Sequence, residues 1–159
     1  MHLTNPIKTG NMLHETLKSL FDRDLNKLKI EIEAYKKEPN IWLVEEGISN
    51  SAGNLCLHLV GNLNAYIGAE LGKTGYIRHR ELEFSLKDIP RAELIKKVED
   101  TILVVDAALS AVTTEQLEAR YPTETLGHPM STEYFLVHLA MHLTYHLGQI
   151  NYHRRLLDK

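Results

Sequence analysis

Four stretches of this chain carry apolar side chains three to five residues apart, a spacing that suits one face of an α-helix and no strand. The first runs from about Asn11 to Lys37 through Leu13, Leu17, Leu20, Leu25, Leu28, Ile32 and Tyr35. Pro39 ends it, because proline disfavours helical geometry at Glu38. Trp42, just beyond, is expected to plug one end of the core. A second helix starts near Ser49-Asn50-Ser51, any of which can cap free backbone N–H groups, and runs through Leu55, Leu59, Leu63, Tyr66 and Ile67 to about Leu71. Gly72 and Gly75 close it.

Pro90 suits the first turn of a third helix, whose stripe is Leu94, Val98, Ile102, Val105, Leu109 and Val112. Thr113-Thr114-Glu115-Gln116 has the pattern of a capping box and opens one short extra turn. Tyr121 to Met130 reads as an irregular loop, and a fourth helix runs from near Ser131 to about Leu157. The connection from Lys73 to Ile89 carries the cluster Arg78-His79-Arg80-Glu81; it is too long for a simple turn between bundle helices and implies a crossover or a functional loop. The expectation is an all-α four-helix bundle forming a single domain over residues 1–159.

Composition narrows the partners. Eighteen Lys and Arg against twenty-one Asp and Glu leave a net charge of -3, which argues against a nucleic-acid binder that neutralises phosphates. No stretch approaches the roughly 18 apolar residues of a membrane span. The opening Met-His-Leu-Thr-Asn-Pro has no basic segment leading into an apolar run, so no secretory leader is expected. The single cysteine, Cys56, cannot form an internal disulfide; it reads as a small buried apolar group in a cytoplasmic protein.

The chain has nine histidines, and their placement is the main functional signal. At about 100° per residue, His138, His142, His146, Gln149 and His153 fall within roughly 40° of one line on the fourth helix. This polar stripe lies in a largely apolar surface, flanked by Leu139, Leu143, Leu147 and Ile150. Histidines at i and i+4 can converge on one ion at about 2.0–2.1 Å, so the pair is either His138 with His142 or His142 with His146. On the second helix His58 shares a face with Leu55, Leu59 and Asn62 and points inward. His2, His14, His79 and His128 lie near the N-terminus or in loops. The segment has no Glu after its first histidine, so it is not the HExxH motif of zinc proteases.

A histidine on the second helix, followed near the C-terminus by His142-Leu-Thr-Tyr-His146-Leu147-Gly148-Gln149, resembles the DinB/YfiT-like metalloprotein family. The resemblance implies that His58, His142 and His146 are the metal ligands, with Gln149, His138 and Asn62 as candidates for supporting side chains. It further implies an up-down-down-up topology with a long crossover between the second and third helices, a zinc or nickel ion, and a homodimer. The activities it implies are those of transferases and isomerases that use low-molecular-weight thiols.

Two chemistries fit such a site. A thiol cosubstrate bound as thiolate would attack a small electrophile, with Arg78 and Arg80 holding its carboxylates and Tyr145 donating to the substrate. Alternatively the ion would activate water for hydrolysis, a route that wants a carboxylate base, and the fourth helix offers none near the triad. A third expectation is non-enzymatic, a metal-stabilised module for dimerisation or stress-related binding.

Overall fold

A computed structural model describes residues 12–159. Residues 1–11, which include His2, the hexapeptide bearing on a secretory leader and the expected start of the first helix, lie outside the described residues. Those described are helical, with no strand among them. The helices are α1 (Met12–Glu33), α2 (Ala52–Leu63), α3 (Arg80–Ser85), α4 (Arg91–Ala111), α5 (Thr114–Glu118) and α6 (Thr132–Leu157). None is long and apolar enough to cross a membrane.

The long helices meet through their apolar stripes. On α1 the buried apolar residues are Leu17, Phe21, Leu25, Leu28 and Ile32, and on α6 they are Phe135, Leu136, Leu139, Leu143, Leu147 and Ile150. Helix α2 is buried on nearly every side, which marks it as a central element wrapped by the others. Helix α1 packs on α4 and α6, and α2 packs on the same two helices. Polar contacts run along these seams. Lys18 pairs with Asp106 and Lys29 with Glu99 between α1 and α4. Thr144 donates to Asp24 and Asn151 to Glu31 between α6 and α1.

Several helix ends follow the capping residues. Ser51 Oγ accepts from Asn54 N at the start of α2, and Ser131 Oγ accepts from Tyr134 N at the start of α6, both at 3.1 Å. Thr113 and Gln116 form both halves of a capping box on α5. Other ends differ from expectation. Helix α1 stops at Glu33, not Lys37, because the Asp158 carboxylate accepts from Lys36 N and Lys37 N and draws the chain away from the helix axis. Helix α2 gives way after Leu63 to a wider π turn, Asn64–Ala69, with Glu70 N bonded to Ala65 O and Gly72 N to Ile67 O. Trp42 joins the core from a 3-10 turn, Glu38–Trp42, with its ring so close to Gly53 that a Cβ there would lie 2.6 Å from it. The connection from Lys73 to Ile89, expected as a crossover or a functional loop, folds in its middle into α3.

Candidate metal centre

Helices α2 and α6 bring His58, His142 and His146 together, with one ring nitrogen of each within 4.8 Å of the others. His58 Nε2 lies 3.2 Å from His142 Nε2, and His146 Nε2 lies 3.1 Å from it. Ligands about 2.0–2.1 Å from a tetrahedral ion sit about 3.3–3.4 Å apart, so these separations need little adjustment. Of the two i, i+4 pairs open at the sequence level, it is His142 with His146 that converges with His58. The His138 ring stacks on Phe135 at 5.9 Å and against His142 at 6.4 Å, outside the converging group.

The tautomers follow from the partners. Glu83 Oε2 lies 2.9 Å from His58 Nδ1, and a carboxylate only accepts, so Nδ1 donates and the Nε2 lone pair faces the cluster. Gln149 Oε1 accepts in the same way from His146 Nδ1 at 2.6 Å, turning a second Nε2 lone pair inward. A proton on His142 Nε2 can point at only one of these two lone pairs, whereas a cation satisfies all three. His142 Nδ1 is buried without a partner among the described residues. The donor set therefore suits a divalent ion of borderline softness.

Electrostatics agree. Burial, reinforced by His146, His58, His138 and Arg78, lowers the His142 pKa to about 3. His146 is also lowered, by burial first. Both are thus held in the neutral form that a metal ligand needs. Burial raises the Glu83 pKa, but the hydrogen bonds from His58 and Arg78 outweigh it and hold the carboxylate below its ordinary value.

These shifts predict how the metal-free protein responds to acid. Above pH about 6.5 the His142 imidazole is neutral in both folded and unfolded chains. As pH falls from there towards about 3, the unfolded chain takes up a proton that the folded chain refuses, and stability drops. The slope from this group is at most about 1.4 kcal/mol per pH unit. Urea midpoints measured in chelator from pH 7 to 4 should fall more steeply for wild type than for His142→Ala; parallel curves would remove His142 as the cause.

Residues around the triad divide by partner. Arg78, expected to hold a substrate carboxylate, is half-buried and bonded to Glu83: Nε donates to Oε1 at 2.7 Å and Nη2 to Oε2 at 2.9 Å, with Nη2 also 3.3 Å from His58 Nδ1. Arg80 is exposed with its guanidinium over the Phe84 ring. Tyr145 is exposed, its ring 5.2 Å from that of His146 and its hydroxyl 3.4 Å from Gln149 Nε2. Asn62 is buried, and its Oδ1 has no partner among the described residues. His153 is a core group, with Nδ1 bonded to Tyr35 OH at 2.7 Å and Nε2 to Leu43 O at 2.9 Å. His14 bonds Leu109 O, while His79 and His128 are exposed. Cys56 is buried, and burial pushes its thiol up to about 12.

Glu83 is the site residue that sequence reasoning missed. The one signal for it was the acidic content of the charged crossover, combined with the habit of metal-binding histidines of donating their second N–H to a carboxylate. Gln149, which bonds His146, also walls a cleft of about 270 Å³ together with Ile48, Asn50, Leu55 and Tyr152; the three histidines themselves do not line it.

No curated protein matches the chain. The family described as a protein of unknown function, DUF1572, matches it over residues 8–159. With the match covering nearly the whole length, the chain belongs to the DUF1572 family.

Proposed function

We propose that this chain is a cytoplasmic metal-dependent enzyme of the DinB/YfiT-like kind that transfers a low-molecular-weight thiol to a small electrophile. The convergence of three imidazole Nε2 atoms, two of them with their lone pairs fixed inward, carries the reading. His58, His142 and His146 would hold one zinc or nickel ion. When bound, that ion supplies positive charge that favours the thiolate form of a coordinating thiol.

The remaining roles fall to the chain. Glu83 and Gln149 fix the orientation of His58 and His146. Tyr145, exposed beside His146, would donate a hydrogen bond to the substrate, and exposed Arg80 would hold a carboxylate of the thiol. Arg78 is left out of that task, since its Nε and Nη2 are engaged with Glu83. The cleft beside Gln149 favours an enzyme over a closed structural site. A hydrolytic route needs a carboxylate free to accept a proton, and both Glu83 oxygens already accept from His58 and Arg78.

Up-down-down-up connectivity belongs to the same reading. Its support is the order of contacts, which runs opposite along α1 and α4 (Lys18 to Asp106, Lys29 to Glu99) and alike along α1 and α6 (Asp24 to Thr144, Glu31 to Asn151). A homodimer would cover the exposed apolar groove between α1 and α6, where Leu20, Val137 and Met141 lie.

The test is metal analysis of the purified protein, followed by assay of a panel of low-molecular-weight thiols with a chromogenic aryl halide. Thiol consumption should require the ion, cease with chelator and return with zinc or nickel. Ester hydrolysis without thiol consumption would replace the transferase reading. Neither activity, with chelation only lowering the melting temperature, would leave a structural module.

A further inference from the structure

Glu83 reaches the histidines from neither of the helices that carry them. It rides on α3, within the crossover, yet its side chain is buried. Three features of the chain bring it there. Gly61 leaves the space that the carboxylate occupies, and a methyl group in its place would overlap the carboxylate. Asn54, one turn before His58 on α2, donates from Nδ2 to Glu83 O and Leu86 O, both at 2.9 Å, and so ties the end of α3 to α2. Arg78 grips both carboxylate oxygens, and its guanidinium lies 5.5 Å from the centre of the Tyr66 ring. An exposed ion pair would contribute little. This one is half-buried, bidentate and aimed at a histidine of the triad.

We propose that Glu83 is the positioning residue of the metal centre and that metal loading is coupled to docking of the crossover, residues 76–86. Glu83 accepts the His58 Nδ1 proton and thereby keeps the lone pair on Nε2, where an ion must find it. Because Glu83 arrives with the crossover, an undocked crossover leaves His58 free to turn or to exchange tautomers. Whatever affinity docking gives to the ion, the ion returns to docking by the same factor. This inference rests on the three histidines holding a metal.

The experiment uses the full chain and zinc alone. Wild type, Glu83→Gln and Gly61→Ala are titrated with Zn²⁺ against a chromophoric chelator. The His58 ring nitrogens are followed by ¹⁵N spectra, and amide exchange over residues 76–86 is compared with and without Zn²⁺. Both variants should bind zinc about 10–100-fold more weakly at unchanged helix content. Metal-free wild type should show His58 protonated on Nδ1 alone, and both variants a tautomer mixture. Zinc should slow exchange at 76–86 in wild type and much less in the variants.

Variants that fold and bind zinc within twofold of wild type overturn the positioning role, as does an unchanged His58 spectrum. Should Glu83→Gln not fold, Gly61→Ala carries the comparison, since alanine is the better helix former at a mid-helix position. Exchange at 76–86 in wild type needs no variant, and its indifference to zinc overturns the coupling. If wild type binds no zinc, the three-histidine reading falls and this inference with it. If wild type binds zinc and the variants bind it equally, only this inference falls.

Discussion

Replacing His142 with alanine should take the bound metal from about one ion per chain to none. His142 Nε2 is the middle member of the cluster, 3.2 Å from His58 Nε2 and 3.1 Å from His146 Nε2. Without it, two imidazoles from different helices remain, and neither is braced against the other. If the whole site is worth roughly 10 kcal/mol, one ligand in three carries about 3 kcal/mol, or more than a 100-fold loss of affinity. The control is His138→Ala. His138 has the same spacing from His142 on the same helical line, but its ring stacks on Phe135 and stays outside the converging group. It should keep the full metal content. Elemental analysis of His142→Ala, His138→Ala and His146→Ala, purified in parallel, decides the matter. An empty His138→Ala beside a loaded His146→Ala would move the site one turn towards the N-terminus of α6.

That contrast shows where sequence reasoning reached its end. Periodicity places Leu139, Leu143, Leu147 and Ile150 in the core and His58 facing inward, since each needs only the angle of a residue around its own helix. The choice between His138 and His146 needs the height of His58 along α6. That is a relation between two helices, which no single-helix pattern contains. Glu83 lay further out of reach. It is separated from His58 by the π turn and the first part of the crossover, on a helix of six residues with too few turns to show a period. The consecutive basic side chains Arg78, His79 and Arg80 look alike in sequence, yet Arg78 turns inward to Glu83 while the other two stay in solvent. The difference is set by Gly61 and Asn54 on the facing helix, which open the space and tie the backbone. The π turn left no mark either, because Asn64-Ala-Tyr-Ile-Gly-Ala69 reads as a plain continuation of α2.

Phe135→Ala should produce the largest loss of fold stability in the neighbourhood of the site, about 3–5 kcal/mol, with little effect on the metal. The Phe135 ring is 1% exposed and joins three parts of the chain. It lies 4.4 Å from Tyr121 in the loop before α6 and 5.2 Å from Tyr66 in the π turn, and it stacks on His138. Tyr121 cannot swing in to fill the void, because its hydroxyl donates to Tyr66 O at 2.7 Å and its amide to Met130 O at 2.9 Å. Poor collapse of this kind places the cost at the upper end of the range for large-to-small substitutions. In a chain of this size such a loss lowers the melting temperature by about 6–20 °C. His142 lies two turns further along α6 and takes its geometry from His58 and His146, so zinc affinity measured well below the melting point should change by only a few-fold. A stability loss under about 1 kcal/mol would mean that the aromatic cluster repacks freely. A large loss of zinc affinity in a folded Phe135→Ala protein would mean that the triad depends on the packing beneath His138. The expected pair of results is the reverse of that for His142→Ala, which should remove the ion while leaving the aromatic cluster intact, because the core of this bundle and its candidate metal centre draw on different contacts of the same helix.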